Sequence, residues 1–220
     1  MIAHLDLRRT ALPDDVVRAR YKHRGGVIVM RDPKTITGIV VHQTACTFGP
    51  SDDADRRHRR AQRIPAHATA FRDGTFVTPC DLPAYAQHGH RLNGRSLGLE
   101  IEGRYSGEVD DPATAPREDL GSTWGGPPDV VTDLVVECAR VALKWLVDEG
   151  RRLGCPIKFV WAHRQSSATR RSDPGAELWR RVVLLYAIPA LGLEAQPGLV
   201  VGDGRPIPRS WDLGSGVGRY

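Results

Sequence analysis

FVWAHRQSSATRRSDPG, residues 159–175, decides how this chain is read. Its apolar opening, Phe159-Val160-Trp161-Ala162, has the composition of a short buried strand, and His163 stands where that strand stops. Far upstream, GIVVHQTA (residues 38–45) repeats the pattern, with Ile39-Val40-Val41 leading into His42. A histidine so placed leaves the end of a sheet. Asp173 follows ten residues after His163, just ahead of a Pro-Gly turn. Two imidazole nitrogens and one carboxylate oxygen form a facial set that suits Zn²⁺ and leaves a fourth position for water.

Further from these runs, Leu97, Leu99 and Ile101 alternate with Gly98, Glu100 and Glu102, which predicts a strand with one apolar face and two carboxylates on the other. Glu100 is then a non-ligand carboxylate beside the histidines, and a register slip of two would put Glu102 in its place. Residues 67–79 predict two short strands joined at Arg72-Asp73-Gly74, because glycine enters the left-handed region without a steric penalty. Val27 to Met30 reads as a brief strand, and Ile36 to His42 as a longer one. Asp129 to Leu153 is the clearest helix, with Val130, Leu134, Val135, Cys138, Val141, Ala142, Trp145 and Leu146 at helical spacing. A second helix is expected over Glu177 to Ala187, presenting Leu178, Val182 and Leu185. Short helices are also expected near Pro13 to Ala19 and over Ser51 to Arg63, the latter acidic at its start and basic at its end. Arg104 to Pro128 reads as a long Gly-, Pro- and Asp-rich loop at the rim of the site.

Length and composition limit the rest. A chain of 220 residues supports one domain with extensions. The expected division is an N-terminal extension (1–34) packed on the domain, a domain at 35–190, and an irregular Gly/Pro-rich tail (191–220) with Val200-Val201 and Trp211 as docking points. The net charge of +5 favours an anionic partner. No basic helix with interleaved aromatics and no zinc-finger spacing is present, so nucleic acid is not expected. Cys46, Cys80, Cys138 and Cys155 form no CxxC pair. Two disulfides are compatible with them, but the N-terminus has no apolar leader and no stretch resembles a membrane span. The protein is therefore expected to start in the cytoplasm with four free thiols, as a monomer.

These runs together resemble the type 2 N-acetylmuramoyl-L-alanine amidases, the zinc amidases that include amidase-type phage lysins, cytosolic enzymes of cell wall recycling and peptidoglycan recognition proteins. The resemblance spans roughly Thr37 to Ala187 and rests on VVHQTA, HATAFRDGTF, QHG, NGRSLGLEIEG and WAHRQSSATRRSDPG in that order. It implies an α/β fold, a mixed central β-sheet flanked by helices, with Zn²⁺ in an open groove at one sheet edge. It further implies that His42, His163 and Asp173 are the metal ligands and Glu100 the catalytic glutamate. Arg171 matches a position where many members carry a lysine that stabilises the tetrahedral oxygen; arginine keeps the charge with a planar, bulkier head. His88 and Asn93 match positions near the substrate groove, with loop hydrogen bonding as the alternative. His67 reads as structural, and Ala66 leaves empty a place where some phage members have tyrosine. The implied substrate is the amide between N-acetylmuramic acid and L-alanine in peptidoglycan or its fragments. A binding module that recognises muropeptides without cutting them is the rival. The setting stays open among a phage lysin, a recycling enzyme and a secreted effector.

Overall fold

The computed structural model describes residues 1–10, 20–48, 61–108 and 128–212. Its strands are β1 (Ala3–Asp6), β2 (His23–Arg24), β3 (Val27–Ile28), β4 (Gly38–Gln43), β5 (Ala68–Ala70), β6 (Thr75–Thr78), β7 (Ser96–Ile101), β8 (Phe159–Ala162) and β9 (Glu194–Ala195). The main helix is α1 (Asp133–Arg152); later the chain winds through α2 (Ala176–Leu178), a π-helical stretch Trp179–Ala187 and α3 (Ile188–Leu191). Among the described residues, seven strands form one sheet in the order β1-β6-β5-β7-β4-β8-β9. Every neighbouring pair is parallel except the β5–β6 hairpin. The sheet is thus mixed and flanked by helices, as the family resemblance implied.

Central strands β4 and β7 are buried along their whole length. That explains their nearly unbroken apolar sequences, since a central parallel strand is covered on both faces. Ile39, Val41, Leu97, Leu99 and Ile101 pack with Val135, Ala139 and Leu143 of α1 in the main core. Val40 belongs instead to a cluster with Leu92 and Trp161. Because side chains alternate along a strand, His42 and Glu100 fall on the face turned away from α1.

Helix α1 starts four residues later than its periodicity predicts. The Thr132 hydroxyl caps it by accepting the Val135 N–H at 3.3 Å. Asp129 is used elsewhere, accepting the Arg104 N–H and an Arg72 guanidinium N–H, both at 2.8 Å. Val130 and Leu134, expected on the buried stripe, are exposed. The second helix also departs from expectation. It runs from Ala176 to Leu191, and the wider π turns bury Trp179, Val182, Val183, Leu184 and Ala187 while turning Leu185 outward. The helices expected near residues 13–19 and 51–63, and most of the 104–128 loop, lie outside the described residues, apart from 61–63 at the end of the second of these.

Both chain ends join the sheet. Strand β1, in the expected N-terminal extension, adds to β6, and β9, in the expected irregular tail, adds to β8. Trp211 is buried, and Val201 packs in the cluster around Trp161. None of the four cysteines is in a disulfide bond. Among the described residues no helix is long and apolar enough to cross a membrane.

The N-terminal segment is tied to α1 by charge. Glu149 receives hydrogen bonds from Arg152 at 2.7 and 2.8 Å and from Arg8 at 3.0 Å. Those bonds, Arg152 first, hold its carboxyl down to about 2, against an ordinary value of 4.5. A depressed carboxylate contributes stability that is present above the unfolded value and lost as pH falls through the folded one. Glu149→Gln should therefore flatten the fall in denaturant-measured stability between pH 4.5 and about 2. An unchanged slope across that window would show that Glu149 does not couple to folding.

Candidate metal centre

Strand register brings the site together. In the parallel ladder His42 pairs with Glu100, and Val41 pairs with Ala162, the residue before His163. His42, Glu100 and His163 therefore stand level at the carboxyl ends of three adjacent strands, β7, β4 and β8. Open α/β sheets place ligands at that edge. From His163 the chain makes a 3-10 turn (His163–Ser166), and it comes back to Asp173 through backbone bonds from Arg170 N–H to the Ser167 carbonyl and from Asp173 N–H to the Arg170 carbonyl, each at 3.2 Å.

The three expected ligands converge. His42 Nδ1 lies 2.9 Å from His163 Nδ1, which lies 2.9 Å from Asp173 Oδ2. One donor atom from each falls within 4.8 Å of the others, and all three residues are buried. The second Asp173 oxygen accepts the Gln43 N–H of β4 at 2.9 Å, which fixes the carboxylate. Gln43 also clamps the surrounding backbone, its side-chain amide donating to the Tyr105 and Ser172 carbonyls at 2.9 and 2.7 Å.

Burial, then the neighbouring imidazoles of His163 and His88, pushes His42 well below the usual histidine range. Burial, then Arg31, pushes His88 down to about 3. Neutral imidazoles offer lone pairs, and lone pairs converging on a buried carboxylate repel unless a proton or a cation sits among them. The donor set therefore fits a divalent metal, and two nitrogens with one oxygen suit zinc.

Glu100 is 8% exposed, with one oxygen 3.9 Å from His42 Nδ1 and the other, buried, without a hydrogen-bond partner among the described residues. Burial, then the nearby Asp173, drives its carboxyl well above the ordinary range, and Arg170 acts the other way. Glu102 has the opposite character. Its two oxygens accept the Phe48 N–H at 2.7 Å and the Arg72 N–H at 3.0 Å, so it staples loops.

Glu100, His163 and Asp173 line a cleft of about 520 Å³ whose walls include Phe48, Ile64, His90, Asn93 and Arg170. His88 and Asn93 both border the cleft, as anticipated, whereas Arg171 sits differently from its anticipated place. Arg171 turns toward Glu108, donating to it at 2.7 Å, and is not among the residues that line the cleft. Burial pushes Glu108 up, but hydrogen bonds from Arg164 and Arg171 outweigh it and hold its carboxyl below the usual range. Among the described residues, the cation on the cleft wall is the preceding residue, Arg170, which is exposed. Sequence alone does not separate two adjacent arginines, because which one faces the cleft depends on the turn between Ser167 and Asp173. Asn93 borders the cleft, yet its side-chain oxygen accepts the Gly89 N–H at 2.5 Å and so closes a loop. His88 is buried beside His42, 3.0 Å from ring nitrogen to ring nitrogen. His67 is locked between the Gly98 N–H at 2.9 Å and the Ala84 carbonyl at 3.1 Å.

The loop carrying His163 and Asp173 is braced by the C-terminal segment. Arg164 donates to the Pro206 carbonyl at 2.9 Å and to Glu108 at 2.7 Å, bonds the Arg171 carbonyl, and lies 4.9 Å over the Trp211 ring. Main-chain bonds run from Val201 to the Gln165 carbonyl at 2.8 Å and from Arg205 to the Arg164 carbonyl at 2.7 Å. Val201 and Trp211, expected as docking points of the tail, both take part in this brace.

A buried two-histidine, one-carboxylate group at the carboxyl edge of a mixed α/β sheet, open to a cleft that holds a further carboxylate, defines a candidate metal centre. The chain belongs to the N-acetylmuramoyl-L-alanine amidase family (Amidase_2), whose sequence pattern matches residues 32–176. No curated protein matches the sequence. In fold it is similar to the N-acetylmuramoyl-L-alanine amidase LysC from Clostridium intestinale URNW, at 15% identity over 88% of this chain and 100% of that one, with a TM-score of 0.48. It is similar as well to a chain of the complex between tracheal cytotoxin and the ectodomains of peptidoglycan recognition proteins LCa and LCx (16% identity, 81% and 93% covered, TM-score 0.50). Drosophila PGRP-LB gives 16% identity, 88% and 97% coverage and a TM-score of 0.49.

Proposed function

We propose that this chain is a zinc-dependent hydrolase that cleaves the amide between N-acetylmuramic acid and L-alanine in peptidoglycan or its fragments. The observation that carries the reading is the meeting of His42, His163 and Asp173 beside Glu100, a buried carboxylate in the lining of an open cleft. His42, His163 and Asp173 would hold the zinc ion, which when bound supplies Lewis-acid polarisation of the scissile carbonyl and lowers the pKa of water. Glu100 takes a proton from the attacking water and returns it to the alanine nitrogen as the carbon–nitrogen bond breaks. Water is consumed, and a lactyl carboxylic acid and a free amine result. Burial and the nearby Asp173 raise this carboxyl above its ordinary range, which strengthens it as the acceptor of the water's proton.

Negative charge that builds on the carbonyl oxygen calls for a cation in the cleft, and among the described residues Arg170 is the arginine that lines it. Arg170→Ala should lower kcat by about 10²–10³-fold, in line with the loss of a single oxyanion donor. Arg171→Ala should act chiefly on stability, through Glu108. A larger kcat loss in the Arg171 variant would return the role to the residue the family resemblance first indicated.

The function is tested by digesting purified sacculi with the zinc-loaded protein and separating the products by mass. Stem peptides with a free alanine amine, together with intact glycan strands, are the expected products. Released disaccharides would overturn the bond assignment. Peptidoglycan recognition proteins LCa and LCx bind tracheal cytotoxin. Tight muropeptide binding with no cleavage would accordingly replace the hydrolase by a recognition module.

A further inference from the structure

His88 packs against His42, and the hydrogen-bond polarity around it can be followed from one end. The Ser96 carbonyl oxygen can only accept, so the His88 Nε2 that faces it at 3.4 Å carries the proton. That carbonyl is itself anchored by an Arg31 N–H at 2.6 Å, and the Ser96 hydroxyl donates to the Leu92 carbonyl at 2.7 Å. With its proton on Nε2, a neutral His88 presents a bare Nδ1. The His42 Nε2 that meets it at 3.0 Å must then be the protonated nitrogen of its own ring. His42 Nδ1 keeps its lone pair, directed at the space shared with His163 and Asp173.

The backbone of β7 provides the seat for this ring. A Cβ on Gly98 would stand 2.7 Å from His88 Cγ and 2.8 Å from its Nδ1, closer than any side chain can sit. The His88 ring stands edge-on to His42, with centroids 5.2 Å apart and planes at 84°. The glycine between Leu97 and Leu99 thus does more than interrupt an apolar run, because it makes room for the imidazole.

We propose that His88, seated on Gly98, is a positioning residue that selects the tautomer of His42 and presents its Nδ1 to a metal ion. The inference rests on the reading of His42 as a metal ligand. Partners of this kind fix a ligating ring and raise its basicity, and their loss costs metal affinity about 10- to 100-fold.

The test compares full-length wild type with His88→Phe, His88→Gln and Gly98→Ala. Zinc affinity is measured by competition with a chromophoric chelator, and the absorption spectrum of the cobalt-substituted protein reports ligand geometry. Phe fills the space without an acceptor, so zinc affinity should drop by about 10- to 100-fold and the cobalt bands should shift. Gln offers an amide oxygen to the His42 N–H and should recover most of the loss. Gly98→Ala leaves His88 in the chain but displaces its ring, so it should weaken zinc in the same direction, and it decides the matter if His88→Phe does not fold. Undiminished affinity and unmoved cobalt bands in Gly98→Ala, or a Gln variant no better than Phe, would overturn the proposal while leaving the ligand set intact. A wild-type protein that takes up no zinc would overturn the ligand set itself, and this inference with it.

Discussion

Glu100→Gln should lower turnover on sacculi by about 10²–10⁴-fold, the range that a positioned general acid–base contributes. Its zinc content should stay the same, since Glu100 is outside the ligand group. The reason is the contrast with its neighbour two residues on. Glu100 has an oxygen with no partner and stands level with His42, whereas both oxygens of Glu102 are taken by backbone N–H groups. Glu102→Gln turns an N–H of the new amide toward one of those donors. It should cost about 1–3 kcal/mol of stability, and turnover per folded molecule should persist. Steady-state kinetics and thermal melts on the two variants separate the roles. If Glu102→Gln abolishes turnover and Glu100→Gln spares it, the assignment of the base is wrong.

The second large effect is expected at Gly204, outside the part of the chain that the family pattern matches. A Cβ there would fall on the Gln165 backbone and 2.6 Å from the Ser166 nitrogen. Backbone cannot step aside as a flexible side chain can, so Gly204→Val must lift the tail from the loop. That breaks the bonds from Val201 and Arg205 to the Gln165 and Arg164 carbonyls. Overpacking of this sort costs about 1–3 kcal/mol and sometimes more. Here the cost should fall on the loop that spaces His163 from Asp173, so zinc affinity should drop by about tenfold or more, while the main core on α1 keeps its melting behaviour. Hydrogen exchange at the Val201 and Arg205 amides checks the mechanism. Wild-type zinc affinity together with wild-type protection of those amides would show that the tail does not brace the site.

Much of the site was legible because strands end where their apolar runs end. VVH and VWAH each announced a histidine at a sheet edge through their unbroken apolar runs, and LGLE announced a carboxylate face through its alternation. Where pattern failed, another interaction had prevailed. Val130 and Leu134 continue the apolar period of α1, but the Thr132 cap and the use of Asp129 by two arginine-bearing loops set the helix start. Leu185 fits a 3.6-residue repeat, and the π winding turned it to solvent. Strand β9 consists of two residues, too few for any periodicity to register.

The sequence by itself determined the residue types and their order: two histidines after buried strands, an aspartate before a turn, and a glutamate on a strand between them. Only the tertiary structure decided that Glu102 is taken up by loop N–H groups while Glu100 stands level with His42, that Arg170 rather than Arg171 borders the cleft, and that His88 meets the His42 ring. Those choices depend on inter-strand register, on the direction of a turn and on which nitrogen of an imidazole finds a carbonyl. Each is set by partners distant along the chain, and no local pattern of residues encodes them.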